Sequence, residues 1–389
     1  MNPIRNKENV VEYSGFEQGP IRPPSEAKSL LIRVTRNCPW NQCAFCPVYK
    51  NTTFSIRPVQ HIIQDIDTIH KYDNQLQDMV RSNGSIRPTE LIQITKSSEC
   101  DRVALNATLN WMSAGMESIF LQDANSLVIK PDQLITVLDH LQACFPWVKR
   151  ITSYARSHTI ARIKVEDLMT MARSGLNRLH IGMESGSDAV LALTHKGVDR
   201  KTHILAGQKV KEAGIELSEY IMPGLGGKNL SQEHAIETAD ALNQINPEYI
   251  RLRTLAVPNH VDLAGMIASG TFVRQTDAEI VREIQMLLDN LHNISSWIGS
   301  DHILNLFGDL EGKFPENIDN LREKLQDFLD LSPHDQMVYQ VGRRIGYFQG
   351  LSDMKKEDSM RHIEATCERL GITPQNVDTV IADMMKRFI

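Results

Sequence analysis

The chain has 389 residues, 41% of them hydrophobic and 23% charged, which is enough to bury a full core in one large domain with an appendage. It contains no apolar run of about eighteen residues or more, and "MNPIRNKENVVEYSGFEQGP" lacks the apolar centre of a secretory signal, so neither a membrane span nor export is expected. A net charge of −6 gives no global attraction to a phosphate backbone, and six cysteines do not form the dense framework of a secreted disulfide protein, so a reduced, cytoplasmic protein is expected.

In chain order, the first strand falls on "SLLIRVT" and runs into "RNCPWNQCAFCPVYKN", with a helix on "PVQHIIQDIDTIH" behind it. Residues 78 to 116 lengthen this first crossover. From about residue 117 an apolar run, a loop and a helix-period segment alternate, as βα units do. The strands are "ESIFLQD", "VKRITSYA", "LNRLHIGMES", "GIELSEYIM" and "PEYIRLRTL". Between them, "PDQLITVLDHLQACF", "KVEDLMTMARSG", "RKTHILAGQKVKEAG" and "SQEHAIETADALNQI" carry apolar residues at helical spacing. The second and third of these helices end in glycine, as C-caps commonly do. Six strand-helix units predict an α/β fold, a partial (β/α)6 parallel barrel with its chemistry at the carboxyl ends of the strands. After "TLAVPNHVDLAGMIASGTF" the strand pattern disappears, and five helical segments from about Asp277 predict a C-terminal helical region. The expected division is an N-terminal extension over 1–27, the barrel over 28–270 and the helical region over 271–389.

Three of the six cysteines, Cys38, Cys43 and Cys46, lie on the loop leaving the first strand in a C-x4-C-x2-C pattern. Three thiolates on one short loop can converge on a soft metal centre. A zinc site normally needs a fourth Cys or His. His61 is the closest candidate in sequence and Cys100 a long-range one, so zinc stays open. A 4Fe-4S cluster held by three cysteines leaves one iron free, and a free iron is a functional position.

The loop resembles the cluster loop of the radical S-adenosylmethionine (SAM) superfamily, whose usual motif is C-x3-C-x2-C with an aromatic residue just before the last cysteine. "CPWNQCAFC" keeps the closing pair and its aromatic, Phe45, and carries one extra residue between the first two cysteines, where Pro39 and Trp40 lie. Later strand ends add to the resemblance. "GLNRLHIGMESGSDAVLALTHKG" looks like the fourth strand end of such barrels, which implies that Glu184 and Ser185 touch the ribose or methionine part of the cofactor. "IFLQDANSL" stands where the family often has Gly-Gly-Glu and is closer to the Q-x-x-N-S pattern of the tRNA methylthiotransferases, making Gln122, Asp123 and Asn125 candidates for the cofactor's amino group. Ser153 and Arg156 join the candidate set from the third strand end, and the Pro-Gly turn of "YIMPGLGGK" adds Pro223 and Gly224. The resemblance covers about residues 28 to 260 and extends to oxygen-independent coproporphyrinogen oxidase relatives. It implies a 4Fe-4S cluster on the three cysteines, S-adenosyl-L-methionine on the free iron, a small-molecule substrate and an electron donor such as flavodoxin or ferredoxin.

Period-2 alternation puts His180, Gly182 and Glu184 on one strand face, Ser218, Tyr220 and Met222 on another, and Arg251 with Arg253 on a third. Faces of this kind turned inward would make a polar interior suited to a cofactor and an anionic substrate. Structural ion pairs with Glu219, Glu248 or Glu184 are the alternative for the two arginines. Arg57 is expected to anchor a loop, and Arg343 and Arg344 to lie on a helix surface. Two rival functions remain: a scaffold or binding protein whose first loop is stapled by zinc or a cluster, and a radical enzyme modifying nucleic acid, for which a basic rim would be the mark.

Overall fold

The computed structural model describes residues 12–386. Its strands are β1 (Leu30–Arg33), β2 (Thr35–Arg36), β3 (Ser55–Ile56), β4 (Ser118–Gln122), β5 (Arg150–Ala155), β6 (Leu176–Glu184), β7 (Glu216–Ile221), β8 (Tyr249–Leu252), β9 (Trp297–Gly299) and β10 (Gly312–Lys313). Eight of them form one sheet in the order β1-β4-β5-β6-β7-β8-β9-β10. Every neighbouring pair from β1 to β9 is parallel, and β10 runs antiparallel at the far edge. The six predicted strands are all present. The sheet also continues into β9 and β10, within the region expected to be helical throughout; β9 is three residues long, too short to show alternation in sequence.

Alternation sorts the strand side chains into two sets. Ile32, Leu121, Ile151, Leu179, Leu217 and Ile250 face outward and join the main apolar core under the helices. Phe120, Tyr154, His180, Tyr220 and Arg251 occupy the alternate positions and face inward, where the rings of Phe120, Tyr154 and Tyr220 each stand 6.0–6.3 Å from that of His180. Strands two places apart in a flat sheet stand about 10 Å from each other. The rings of Phe120 on β4 and His180 on β6 are 6.3 Å apart, so the inward side chains converge and the sheet curls around them.

The helices are α1 (Val59–Asn83), α2 (Pro88–Lys96), α3 (Arg102–Ser113), α4 (Pro131–Cys144), α5 (Ser157–Ile160), α6 (Val165–Arg173), α7 (Asp188–Leu193), α8 (Arg200–Glu212), α9 (Ser231–Ile245), α10 (Asp262–Ala268), α11 (Asp277–Asn290), α12 (Ile318–Asp330), α13 (Pro333–Arg344), α14 (Glu357–Leu370) and α15 (Val377–Met385). Their starts follow from capping chemistry. Asp199 accepts from Thr202 N at 2.8 Å to open α8, and Thr276 with Glu279 forms a reciprocal box at the start of α11. Glycines at positive φ follow α6 (Gly175, +101°) and α8 (Gly214, +74°).

The segment before β1 closes the lower end of the barrel. Glu26, fully buried, accepts from the Ser29 hydroxyl at 2.5 Å and meets Arg150 and His180, each at 3.3 Å. Residues 1–11 of the expected N-terminal extension lie outside the described residues.

Arg343 and Arg344 are not on a helix surface as expected. Both are buried: Arg344 pairs with Asp277 at 3.2 Å, and Arg343 Nε donates to Asn305 O at 3.1 Å. The last two turns of α13, Met337–Arg344, are enclosed on all sides, with Tyr339 stacked on Phe348 and packed beside Phe328. Arg57 is the expected anchor, bonding Arg33 O at 2.7 Å and Asp65 at 2.6 Å.

Candidate metal and cofactor centre

The cysteine loop hangs from the carboxyl end of β1, and the antiparallel pair β2–β3 closes its base. Within it Asn37 (φ 67°) and Asn41 (φ 48°) take the left-handed conformation, which asparagine tolerates better than most residues. Asn41 lies in the enlarged gap between Cys38 and Cys43, and its amide N donates to Cys38 Sγ at 3.4 Å. The extra residue is thus taken up in a turn around the first sulfur. Trp40 reaches the loop after α7: its Nε1 donates to His195 O at 2.7 Å, and its ring covers Gly197 so closely that no Cβ would fit there. Further tethers run from Ala44 N to Thr194 O and from Leu263 N to Ala44 O, both 2.9 Å, and from the Tyr49 hydroxyl to Asp123.

Cys38, Cys43 and Cys46 are free and half-buried. Cys43 and Cys46 border an apolar layer of Ala44, Phe45, Met222, Leu225 and Leu255. Burial pushes the Cys43 thiol up, and the nearby Lys196 and Arg156 charges pull it part of the way back. On Lys196, burial works against the ammonium, but Glu184 at 3.1 Å and Cys43 outweigh it and raise its pKa. Two cations therefore flank the three sulfurs. Arg156 lies 5.2 Å over the Trp40 ring and donates to Lys196 O at 2.9 Å, which locks the two cations and the loop together.

This donor set suits a cluster better than a single ion. A structural zinc normally takes four protein ligands, and this loop supplies three thiolates. Neither sequence candidate for a fourth ligand is at hand. Cys100 lies between α2 and α3, beside Tyr72 of α1, and the His61 ring packs at 5.5 Å on Tyr13.

The remaining candidates divide into two groups. Glu184, at φ 65°, stands beside Lys196, and Phe45 lies 5.9 Å under the Lys196 ammonium, so both are at the sulfurs with Arg156. Asn125 positions Arg156, its Oδ1 accepting from Arg156 N at 3.2 Å. Asp123 holds the loop through Tyr49 and pairs with Arg33 at 2.8 Å. Pro223 O accepts from Leu255 N at 2.9 Å, and Gly224 N donates to Glu283 at 2.7 Å from a φ of 90° that suits glycine. The other three are engaged in holding the fold. Gln122 accepts from Gly19 N at 2.8 Å and donates to Ile21 O at 2.6 Å. Ser153 shares the outward face with Ile151 and Ala155 and donates to Leu121 O at 3.2 Å. Ser185 is buried against His234 Nδ1 at 2.8 Å.

Sequence reasoning did not single out Trp40 as a clamp, and it weighed Lys196 only as a charge that pairs structurally or meets substrate. Both roles depend on the loop after α7 reaching the cysteine loop from about 155 residues away.

No family model and no curated protein matches the chain. Solved structures do match it. They include the archaeal Methanocaldococcus infernus Elp3 (16% identity, TM-score 0.43, 59% of each chain covered) and Escherichia coli coproporphyrinogen III oxidase HemN, a radical SAM enzyme (13%, 0.43, 67% of this chain and 51% of that one). Another is the radical SAM methyltransferase TsrM from Kitasatospora setae with cobalamin and a [4Fe-4S] cluster bound (14%, 0.43, 62% and 37%). The chain thus spans 59% of the Elp3 chain and 37% of the TsrM chain. Likeness at this level bears on neither reaction nor substrate.

Proposed function

We propose that the protein is a radical SAM enzyme acting on a small molecule. The observation that carries this is three free cysteines on one loop at the carboxyl end of β1 in a parallel barrel, with neither Cys100 nor His61 at hand as a fourth ligand and with Lys196 and Arg156 beside them. Cys38, Cys43 and Cys46 would hold a 4Fe-4S cluster, which with S-adenosylmethionine on its free iron supplies reductive cleavage to a 5′-deoxyadenosyl radical and hydrogen abstraction from the substrate. Lys196 and Arg156 would offset the thiolate charge and supply cations for the methionyl carboxylate. Glu184 would receive polar groups of the cofactor, and Phe45 with the Met222–Leu225–Leu255 layer would keep water from the sulfurs. Pro223 and Gly224 let backbone approach the cofactor, while Asp123 and Asn125 act by fixing Tyr49 and Arg156. Residues 28–270 would carry the chemistry and 271–389 cap it, with flavodoxin or ferredoxin as electron donor in the cytoplasm. No described helix is long and apolar enough to cross a membrane.

Anaerobic reconstitution tests this. Four irons and four sulfides per chain, with 5′-deoxyadenosine formed on reduction, are the expected result. Cys43→Ala should lose the iron. A single bound zinc and no cofactor cleavage would overturn the proposal in favour of the metal-stapled scaffold.

A further inference from the structure

The barrel interior is lined with charged groups, and the pattern of their pairing leaves Arg253 without a partner among the described residues. Arg178 meets Glu216 at 2.6 Å at the lower end, His180 meets Glu26, and Arg251 meets Asp301 at 2.6 Å. Arg253 follows Arg251 on the same inward face and is half-buried. Among the described residues its side chain has neither an ion pair nor a hydrogen bond. A half-buried guanidinium without a partner forgoes the charge-assisted bonds that its planar fork is shaped to make.

The surroundings of Arg253 are fixed. Its own amide donates to Ile221 O at 2.9 Å. The buried Asn305 brackets it, accepting from Thr254 N at 2.8 Å and donating to Leu252 O at 2.7 Å. Tyr220 stands opposite Arg251 in the β7–β8 register, two residues before Arg253 on the same face, and the Tyr154 and Tyr220 rings lie 6.0 and 6.1 Å from that of His180. The charge of Arg253 is felt by both phenols and by His302. The Tyr220 hydroxyl is buried with no hydrogen-bond partner. Burial, helped by Arg253, pushes His302 down to about 4, so it is neutral and adds no competing charge. Below this group lies the ring layer of Phe120, Tyr154, His180 and Tyr220.

We propose that Arg253, with the Tyr154 and Tyr220 hydroxyls, anchors an oxyanion of the substrate, a carboxylate or phosphate, with the substrate's carbon skeleton on the ring layer. The fork of Arg253 would meet two oxygens and the Tyr220 hydroxyl would gain the acceptor it lacks. The methionyl carboxylate of the cofactor belongs elsewhere, at Arg156 and Lys196 beside the sulfurs. This anchor deepens the radical-enzyme reading and rests on it for turnover, but anion binding itself requires no cluster.

The test is calorimetric titration of the cluster-free full-length chain with benzoate and, separately, inorganic phosphate. One of the two should bind; which one does tells carboxylate from phosphate. Arg253→Gln should weaken it about tenfold and Tyr220→Phe several-fold, each with an unchanged unfolding temperature, and Arg253→Lys should restore part of the affinity. In reconstituted protein, Arg253→Gln should leave S-adenosylmethionine affinity unchanged. Binding of neither anion, equal affinity in wild type and Arg253→Gln, or loss of cofactor binding in that variant would each overturn the anchor. Failure of the radical-enzyme reading shows separately, in the iron content and cofactor cleavage of the wild type.

Discussion

Trp40 packs against Gly197, with its Nε1 bonded to His195 O at 2.7 Å and the Arg156 guanidinium 5.2 Å from its ring. This contact ties the enlarged Cys38–Cys43 gap to the loop that carries Lys196. Gly197 is also at φ 70°, so any side chain there meets both the indole and an unfavourable backbone conformation. Gly197→Ala is expected to displace Trp40 and free the first half of the cysteine loop. Iron content after reconstitution should fall several-fold while the unfolding temperature drops by only a few degrees. Full loading would show that the loop holds its shape without the clamp.

Lys196 gives the second prediction, because it is the partner of the half-buried Glu184 as well as a neighbour of Cys43. Lys196→Gln leaves that carboxylate without its ion pair beside the thiolates. Cofactor binding should weaken about tenfold, the scale of one charge-assisted contact, and Lys196→Arg should recover most of it. Equilibrium binding of S-adenosylmethionine to the reconstituted variants is the measurement.

Much of the barrel is legible in the sequence because its strands and helices are long enough to show their periods. All six strands fall where the apolar runs stand, and α4, α6, α8 and α9 match the helical segments between them. The cysteine triad is legible as chemistry because three soft ligands within nine positions of a polar loop favour metal binding over burial as small apolar side chains. What stays hidden depends on contacts distant in sequence. Trp40 reads as filler in a widened gap until His195 and Gly197 meet it, and Arg253 reads as one of two equivalent arginines until Asp301, not the expected glutamates, takes Arg251 alone. The burial of Arg343 and Arg344 is hidden too, because enclosure of α13 is set by its neighbours Phe307, Phe328 and Phe348, not by its own pattern.

Glu26 gives the third prediction. Burial alone would raise its acid, but hydrogen bonds from His180 and Ser29 and the charge of Arg150 outweigh it and hold the carboxyl below its usual range. Its stabilisation is present above the unfolded pKa and is lost as pH falls through the folded one. Glu26→Ala removes the carboxylate from between Arg150 and His180 and opens the lower end of the barrel. Urea unfolding should show a loss of about 3 kcal/mol, as when one member of a buried ionic network is deleted. A loss within experimental error would mean that solvent replaces the plug without penalty.

Glu219 works in the opposite sense and yields a pH dependence of known sign. It stands on the outward face of β7 between Ile181 and Ile250, fully buried and without an ion pair among the described residues. Burial first, then the nearby Glu184 carboxylate, push its acid well above the usual carboxylate range, so the folded chain keeps the proton. The unfolded chain releases it near pH 4.5. Above that pH the unfolded state binds fewer protons than the native one, and stability falls with rising pH by about 1.4 kcal/mol per unit from this group until the folded pKa is reached. Glu219→Gln keeps the shape and cannot ionise. The variant should therefore match the wild type at about pH 4 and gain on it steadily toward neutral pH. Urea denaturation of both proteins across that range is the check: parallel stability curves would show that Glu219 has a partner for its charge in the folded state.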